Sequence, residues 1–365
     1  MKVALVHDWL TGMRGGEKVL ERFALMYPEA PIYTLIHEPG SVSSELESHR
    51  IETSFVQRLP ARRQAYRWYL PLFPAAVRGL DLSDFDLVLS SSHCAVKAVR
   101  TRADALHLCY CHTPMRYAWD RFDEYFSPRQ VGWPRHLLIR PTIAALRWWD
   151  RATAPRVDGF IANSGYVRER IQQYYDRSST VISPPVDTTR FRPGRTQADY
   201  YLMVSALSPY KRVATAIEAF NTMGRRLLIV GEGPERDRLQ AMAGPSVELL
   251  GRADEDALLD LYQKSRGFIL PGVEDAGIAP IEAMACGRPA LVLNAGGAPE
   301  AVVDGETGLY MADTGAPGII EAVDTAEGLT FNTEAIRAHA EHYSVSNFDQ
   351  RVTSFIQREV SARQA

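Results

Sequence analysis

Short apolar runs alternate along most of the chain with longer stretches whose apolar positions recur at helical spacing. In the first half these runs are Lys2–Val6, Ile32–Leu35, Leu87–Ser90, Leu106–Cys111, Gly159–Ala162 and Thr180–Ile182. In the second they are Tyr201–Val204, Leu227–Val230, Val247–Leu250, Gly267–Leu270, Pro289–Leu293 and Leu309–Met311. Continuous apolar strands are those covered on both faces, and strands that alternate with helices form parallel, doubly wound sheets. Two such sets predict an α/β protein with two Rossmann-like domains. Ser183–Pro193 carries three prolines in eleven residues, which favours a stiff extended connector. The boundary is therefore expected there, with residues 1–185 in one domain and 186–345 in the other. A last helix is expected over about Ser346–Arg363.

Length and composition agree with this division. The 365 residues exceed one ordinary core, and 46% hydrophobic with 23% charged residues is a globular composition. No apolar run reaches the roughly 18 residues that span a bilayer. The opening Met-Lys-Val-Ala-Leu-Val-His-Asp reads as a first strand and not as a signal peptide. Cysteines 94, 109, 111 and 286 form no Cys-x-x-Cys pair, so reduced, packed thiols and a cytoplasmic setting are expected, without structural zinc. Residues 1–190 hold 25 Lys+Arg against 20 Asp+Glu (+5), and the remainder 16 against 24 (−8). The basic first half suits an anionic membrane or acceptor, and the balance is too mild for nucleic acid.

The densest chemistry lies at Glu274-Asp-Ala-Gly-Ile-Ala-Pro-Ile-Glu282. A glycine turn opens a helix there after a strand, so free amides and the helix dipole favour a phosphate. The flanking carboxylates suit hydroxyls, since ionised carboxylates only accept hydrogen bonds. Phosphate between hydroxyls describes a nucleotide-sugar; the alternative is an ordinary helix with two solvated glutamates. Lys211 and Arg212 also stand at a predicted helix start, where the dipole disfavours cations unless an anion such as diphosphate is bound. The alternative there is a solvated basic turn. Gly231-Glu-Gly-Pro leaves the carboxyl end of a strand, where open α/β sheets bind ligands, though it could be a structural turn. The Gly251-Arg252 turn is a candidate contact for a base.

Three segments of the first half stand out. Gly12-Met-Arg14-Gly15-Gly16-Glu-Lys joins the first strand to its helix without the dinucleotide fingerprint. His112-Thr-Pro-Met-Arg-Tyr leaves the strand Leu106–Cys111, which aims the histidine at the ligand-binding end of the sheet. Arg58–Arg78 interleaves Arg62, Arg63 and Arg67 with Trp68, Tyr69, Leu72 and Phe73. That pattern fits either packing within the domain or docking on anionic lipid; a counterpart lies at Arg135–Arg151.

The Glu274–Glu282 run resembles the donor-site motif of retaining glycosyltransferases of family 4, also called group 1, which have the GT-B fold. The His-Thr-Pro-x-Arg-Tyr run resembles their bacterial O-antigen and exopolysaccharide mannosyltransferase branch, and Pro185–Pro193 is similar to the family's interdomain linker. The resemblance implies two Rossmann-like domains facing a central cleft, with the last helix crossing back to the first. It places Glu274 and His112 on the transferred sugar, Glu282 on the ribose, and the amides of Gly277, Ile278 and Ala279 on the diphosphate, with Lys211 supplying positive charge. Gly15 and Gly16 correspond to the loop over the diphosphate, Arg14 adds charge, and Asn163-Ser164 supports the site. Ala206 stands where the family commonly has an arginine, so Arg212 or a first-domain base would compensate, and Asp275-Ala276 replaces a frequent Gly-Phe. The implied reaction moves a hexose, with GDP-mannose favoured over a UDP-sugar, to a lipid-linked oligosaccharide at the inner face of the cell membrane. No cofactor or metal is implied. Rival readings are a nucleotide-sugar epimerase and a non-catalytic subunit that binds nucleotide-sugars.

Overall fold

The computed structural model describes residues 1–60, 66–120, 122 and 126–364, with the backbone alone at 67, 129, 130 and 135. The chain divides into two compact units, residues 1–183 with 349–365, and residues 184–348.

The first unit is built on a seven-stranded parallel sheet: β1 (Val3–His7), β2 (Ile32–Thr34), β3 (Ile51–Thr53), β4 (Leu87–Ser92), β5 (Leu106–Cys111), β6 (Gly159–Ala162) and β7 (Thr180–Val181). Their order is β3-β2-β1-β4-β5-β6-β7. β4 and β5 are buried at every position, which is why they read as unbroken runs. β3 was not expected. Its three residues form a short, half-buried edge strand, too brief to leave a periodic signal. The four cysteines are free and buried.

A long helix, Trp133–Thr153, is pinned to this unit by a charge pair without solvent. Asp150 and Lys97 are buried, with Nζ 3.0 Å from Oδ1. The indole of Trp119 and the phenol of Tyr175 both donate to Asp150 Oδ2, at 2.8 and 2.9 Å. Burial, followed by the Asp150 charge, raises the Tyr175 phenol well above its usual range, so it remains a donor. Residues 349–364 of the last helix, Val345–Gln364, belong to this unit: Arg351 donates to the Val181 carbonyl at 2.7 Å, and Arg363 pairs with Asp158 at 3.1 Å.

The second unit has a six-stranded parallel sheet in the order β10-β9-β8-β11-β12-β13. Its strands are β8 (Tyr201–Val204), β9 (Leu227–Val230), β10 (Val247–Gly251), β11 (Gly267–Leu270), β12 (Ala290–Leu293) and β13 (Gly308–Met311). Edge strand β10 alone alternates buried and exposed positions. Arg337 ties the proline-rich connector to this unit, donating to the carbonyls of Thr188 and Phe191 at 3.0 Å each and of Ala285 at 2.8 Å. The last of these caps the carboxyl end of the helix Ile278–Ala285, where a cation is favourable.

Candidate functional site

In both sheets the strand order reverses once, beside β1 and β4 in the first and beside β8 and β11 in the second. Loops leaving adjacent strands in opposite directions open a crevice there, the usual ligand position in such sheets.

In the second unit, Lys211 comes from the loop after β8 and Glu274 from the loop after β11. Lys211 Nζ donates to Glu274 Oε1, and the two side chains are 15% and 14% exposed. The close approach depends on Gly272, where a Cβ would lie 2.9 Å from the Tyr210 carbonyl. Lys211 ends a 3-10 turn, Pro209–Lys211, and Arg212 takes a left-handed conformation (φ 54°) before the helix Val213–Met223. That conformation disfavours a side chain and is found where function or packing enforces it. Arg212 points elsewhere, its Nη1 at 3.5 Å from the Thr314 carbonyl.

Gly277 opens the helix Ile278–Ala285 at φ 67°, and a Cβ there would meet Ala298 at 2.8 Å. The first-turn amides of this helix, Ile278 and Ala279 among them, have no acceptor inside it. Behind the turn, the Gly297 amide donates to the Glu274 carbonyl at 2.7 Å. Gly296 (φ 81°) packs against the same carbonyl, 2.4 Å from its would-be Cβ. This brace was invisible in the sequence. Glu282 is buried, and the Tyr262 phenol donates to its Oε2 at 2.9 Å. Burial, then the Glu282 charge, keeps that phenol protonated. Neither glutamate is a solvated surface group, so the bland alternative for this helix fails. The Gly231 loop has a structural reason for its glycines: a Cβ at Gly231 would fall 1.8 Å from the Ser205 carbonyl, and the Gly231 amide is spent on Gly251 at 2.8 Å.

In the first unit, Arg14 caps the helix Gly15–Met26, and its amide donates to Glu17 Oε2 at 3.1 Å. Gly16 lies against two imidazoles; a Cβ there would sit 3.4 Å from His7 Cε1 and 3.6 Å from His112 Nε2. His112 is held through its carbonyl by Asn163 Nδ2 at 2.9 Å and through its amide by Ser92 at 2.8 Å. Its Nε2 is 2.8 Å from Ser91 Oγ. Arg170 steadies the following loop, donating to Thr113 Oγ1 at 2.6 Å and pairing with Asp120. Asp8, fully buried, accepts the amides of His93, Cys94, Ala95 and Val96 at 2.6–3.0 Å. Burial and the nearby His7 push His93 down to about 3, and burial with His93 and His7 pushes His112 well below the imidazole range, so both rings are neutral at physiological pH. Sequence reasoning found Gly16 and His112 but gave no role to Glu17 in the same Gly12–Lys18 segment, nor to His7, Asp8, Ser91 or His93, which carry no motif of their own. Among the described residues no group of three His, Cys, Asp or Glu is placed to hold a metal ion.

Residues 13–190 match the family model of Glycosyltransferase Family 4, and residues 186–335 that of Glycosyl transferases group 1. A GDP-mannose-dependent alpha-(1-6)-phosphatidylinositol monomannoside mannosyltransferase of Mycolicibacterium smegmatis is 31% identical over 224 residues, 52% of this chain and 58% of that protein. Glycogen synthase of Mycobacterium tuberculosis is 30% identical over 213 residues, 53% of this chain and 50% of its own length. The chain spans about half the length of these curated relatives. Among solved structures, Anabaena HepE in complex with UDP superposes with a TM-score of 0.73 at 18% identity, covering 98% of this chain and all of that one. The fold is thus of the GT-B type, with two parallel-sheet Rossmann-like domains.

Proposed function

We propose that this chain, a Family 4 glycosyltransferase domain followed by a group 1 glycosyl transferase domain, transfers a hexose with retention from a nucleoside diphosphate to an acceptor hydroxyl. The observation that carries the reading is the Lys211–Glu274 pair beside the helix-opening turn at Gly277. In the reaction, the bond between the sugar carbon and the donor phosphate oxygen breaks. The acceptor oxygen attaches on the same face, and its proton passes to the departing phosphate oxygen. Charge therefore builds on the diphosphate, and fixed donors aimed there supply most of the rate. Lys211 and the amides of Gly277, Ile278 and Ala279 take that task. Glu274 turns to the sugar hydroxyls once diphosphate replaces it as the partner of Lys211, and Glu282 holds the ribose. Arg14, Gly15, Gly16, Arg212 and Gly231 are the remaining donor contacts in this reading, Arg212 only on leaving the Thr314 carbonyl and Gly231 by close backbone approach, since its amide is engaged; His112 meets the transferred sugar. No metal is required, because lysine and helix amides neutralise the leaving group.

GDP-mannose is the preferred donor, supported by the name of the mycolicibacterial relative, and the acceptor is a lipid-linked oligosaccharide of bacterial surface-polysaccharide synthesis. A UDP-sugar is the second reading, favoured by the UDP held by the structural neighbour HepE. The test is release of nucleoside diphosphate from GDP-mannose and UDP-glucose, with and without polyprenyl-linked glycan. Acceptor-dependent release supports the transferase; release without new glycan, or epimerised sugar, overturns it.

Working at the cytoplasmic face calls for membrane contact. No described helix is long and apolar enough to cross a bilayer. Trp68, Trp133, Leu138 and Trp148 are each more than half exposed, which supports peripheral docking of Arg58–Arg78 and of the helix Trp133–Thr153 on anionic lipid. Phe73 is not part of that surface, being fully buried, and Arg62 and Arg63 lie outside the described residues. Cosedimentation with anionic vesicles should weaken in a Trp68/Trp133/Leu138 triple alanine variant; equal binding would exclude the surface.

A further inference from the structure

Three polar side chains stand in a line behind His112. Glu17 Oε1 faces His7 Nε2 at 3.8 Å, His7 Nδ1 is 3.1 Å from Ser91 Oγ, and Ser91 Oγ is 2.8 Å from His112 Nε2. His7, Ser91 and Glu17 are buried, so their protons cannot be settled by water. His7 Nε2 is buried without a hydrogen-bond partner, and the Glu17 carboxylate faces it. His112 Nδ1 has no hydrogen-bond partner among the described residues, and the residue is partly exposed.

The line has a direction. Burial opposes ionisation of Glu17, but the neighbouring His7 outweighs it and holds the carboxyl below its usual range, so it is an acceptor only. A bare nitrogen opposite a carboxylate is repelled, whereas an N–H there is attracted. A singly protonated His7 therefore carries its proton on Nε2 and leaves Nδ1 as an acceptor. Ser91 has one O–H; it donates this to His7 Nδ1 and must then accept from His112 Nε2–H. His112 is neutral, so a proton on Nε2 leaves Nδ1 bare.

We propose that Glu17, His7 and Ser91 are positioning residues that fix His112 as its Nε2–H tautomer, so that Nδ1 accepts a hydrogen bond from a hydroxyl of the transferred sugar. The array stands on this geometry alone; its use on a sugar rests on the function proposed above. Asp8 belongs to a separate arrangement, because its carboxylate is occupied by four amides and by His93 Nδ1 at 3.3 Å.

Glu17→Gln tests the direction. The amide oxygen would keep the Arg14 amide, and the NH2 group would face His7 Nε2. His7 would then be protonated on Nδ1, Ser91 would donate to His112 Nε2, and the proton of His112 would move to Nδ1. Nitrogen-15 NMR of the full chain with labelled histidines, at pH 7.5 and without ligand, reads each tautomer. The expected wild-type spectrum shows His112 with a protonated Nε2 and a bare Nδ1, exchanged in Glu17→Gln and mixed in Ser91→Ala. A wild-type His112 protonated on Nδ1 would overturn the array whether or not any variant folds. So would an unchanged pattern in a folded Glu17→Gln. In turnover, Glu17→Gln should lower kcat about tenfold or more, as expected for one misdirected hydrogen bond in a buried site. An expected spectrum in a protein that turns over no nucleotide-sugar would leave the array standing and remove the functional reading instead.

Discussion

Two lysine–carboxylate pairs, one in each unit, look alike on paper and differ in solvent access and in the backbone that carries them. Lys97 and Asp150 in the first unit are fully buried, and every neighbour is engaged: Trp119, Tyr175 and Thr153 surround them. Lys211 and Glu274 in the second unit stay partly exposed, sit on loops at the crossover of the sheet, and lean on glycines and on a left-handed arginine. The first pair holds a helix in place. In the proposed reaction the second neutralises two charges that have other work, and its backbone is held in conformations found where function or packing enforces them. Solvent access and backbone strain separate the structural pair from the functional one, where residue type cannot.

That contrast can be broken by mutation. Asp150→Ala leaves a buried, unpaired ammonium and should cost about 3–5 kcal/mol in urea denaturation; a loss below about 1 kcal/mol would remove its structural role. Lys211→Ala should reverse the pattern, with a smaller loss of stability than Asp150→Ala but about 10²–10³-fold lost in kcat. Equal destabilisation by the two variants would collapse the distinction. A smaller effect sharpens it: Tyr262→Phe removes a hydrogen bond to buried Glu282 and should weaken GDP or UDP binding about tenfold by calorimetry, with the fold intact. The smallest expected effect is none. Excess EDTA should leave turnover unchanged, and loss restored by Mg²⁺ would contradict a leaving group neutralised by Lys211 and helix amides.

How much of this was legible depends on what each residue must satisfy by itself. The strands were readable because parallel strands covered on both faces need uninterrupted apolar runs; β3, at an edge and three residues long, needs none. The turn at Gly277 was readable because it requires a glycine, and Lys211 because a cation at a helix start conflicts with the dipole. Tyr262, Ser91 and Asp8 were not. Each sits in an ordinary helix or strand end and acquires its role from a partner 20 or more residues away. The brace of Gly296 and Gly297 behind Glu274 was likewise hidden, since Ala295–Ala298 reads as a plain small-residue turn.

The measurement that bears most directly on the second-domain site is thermal unfolding with GDP, UDP, ADP and their sugar conjugates, on the wild type and on Lys211→Ala. A ligand that binds only the folded chain adds about 2.7 kcal/mol at roughly 100 times its Kd. One nucleotide class should stabilise the wild type, and that gain should be lost in Lys211→Ala. No stabilisation by any of them, or an equal gain in both proteins, would show that the Lys211–Glu274 crossover is not a diphosphate site.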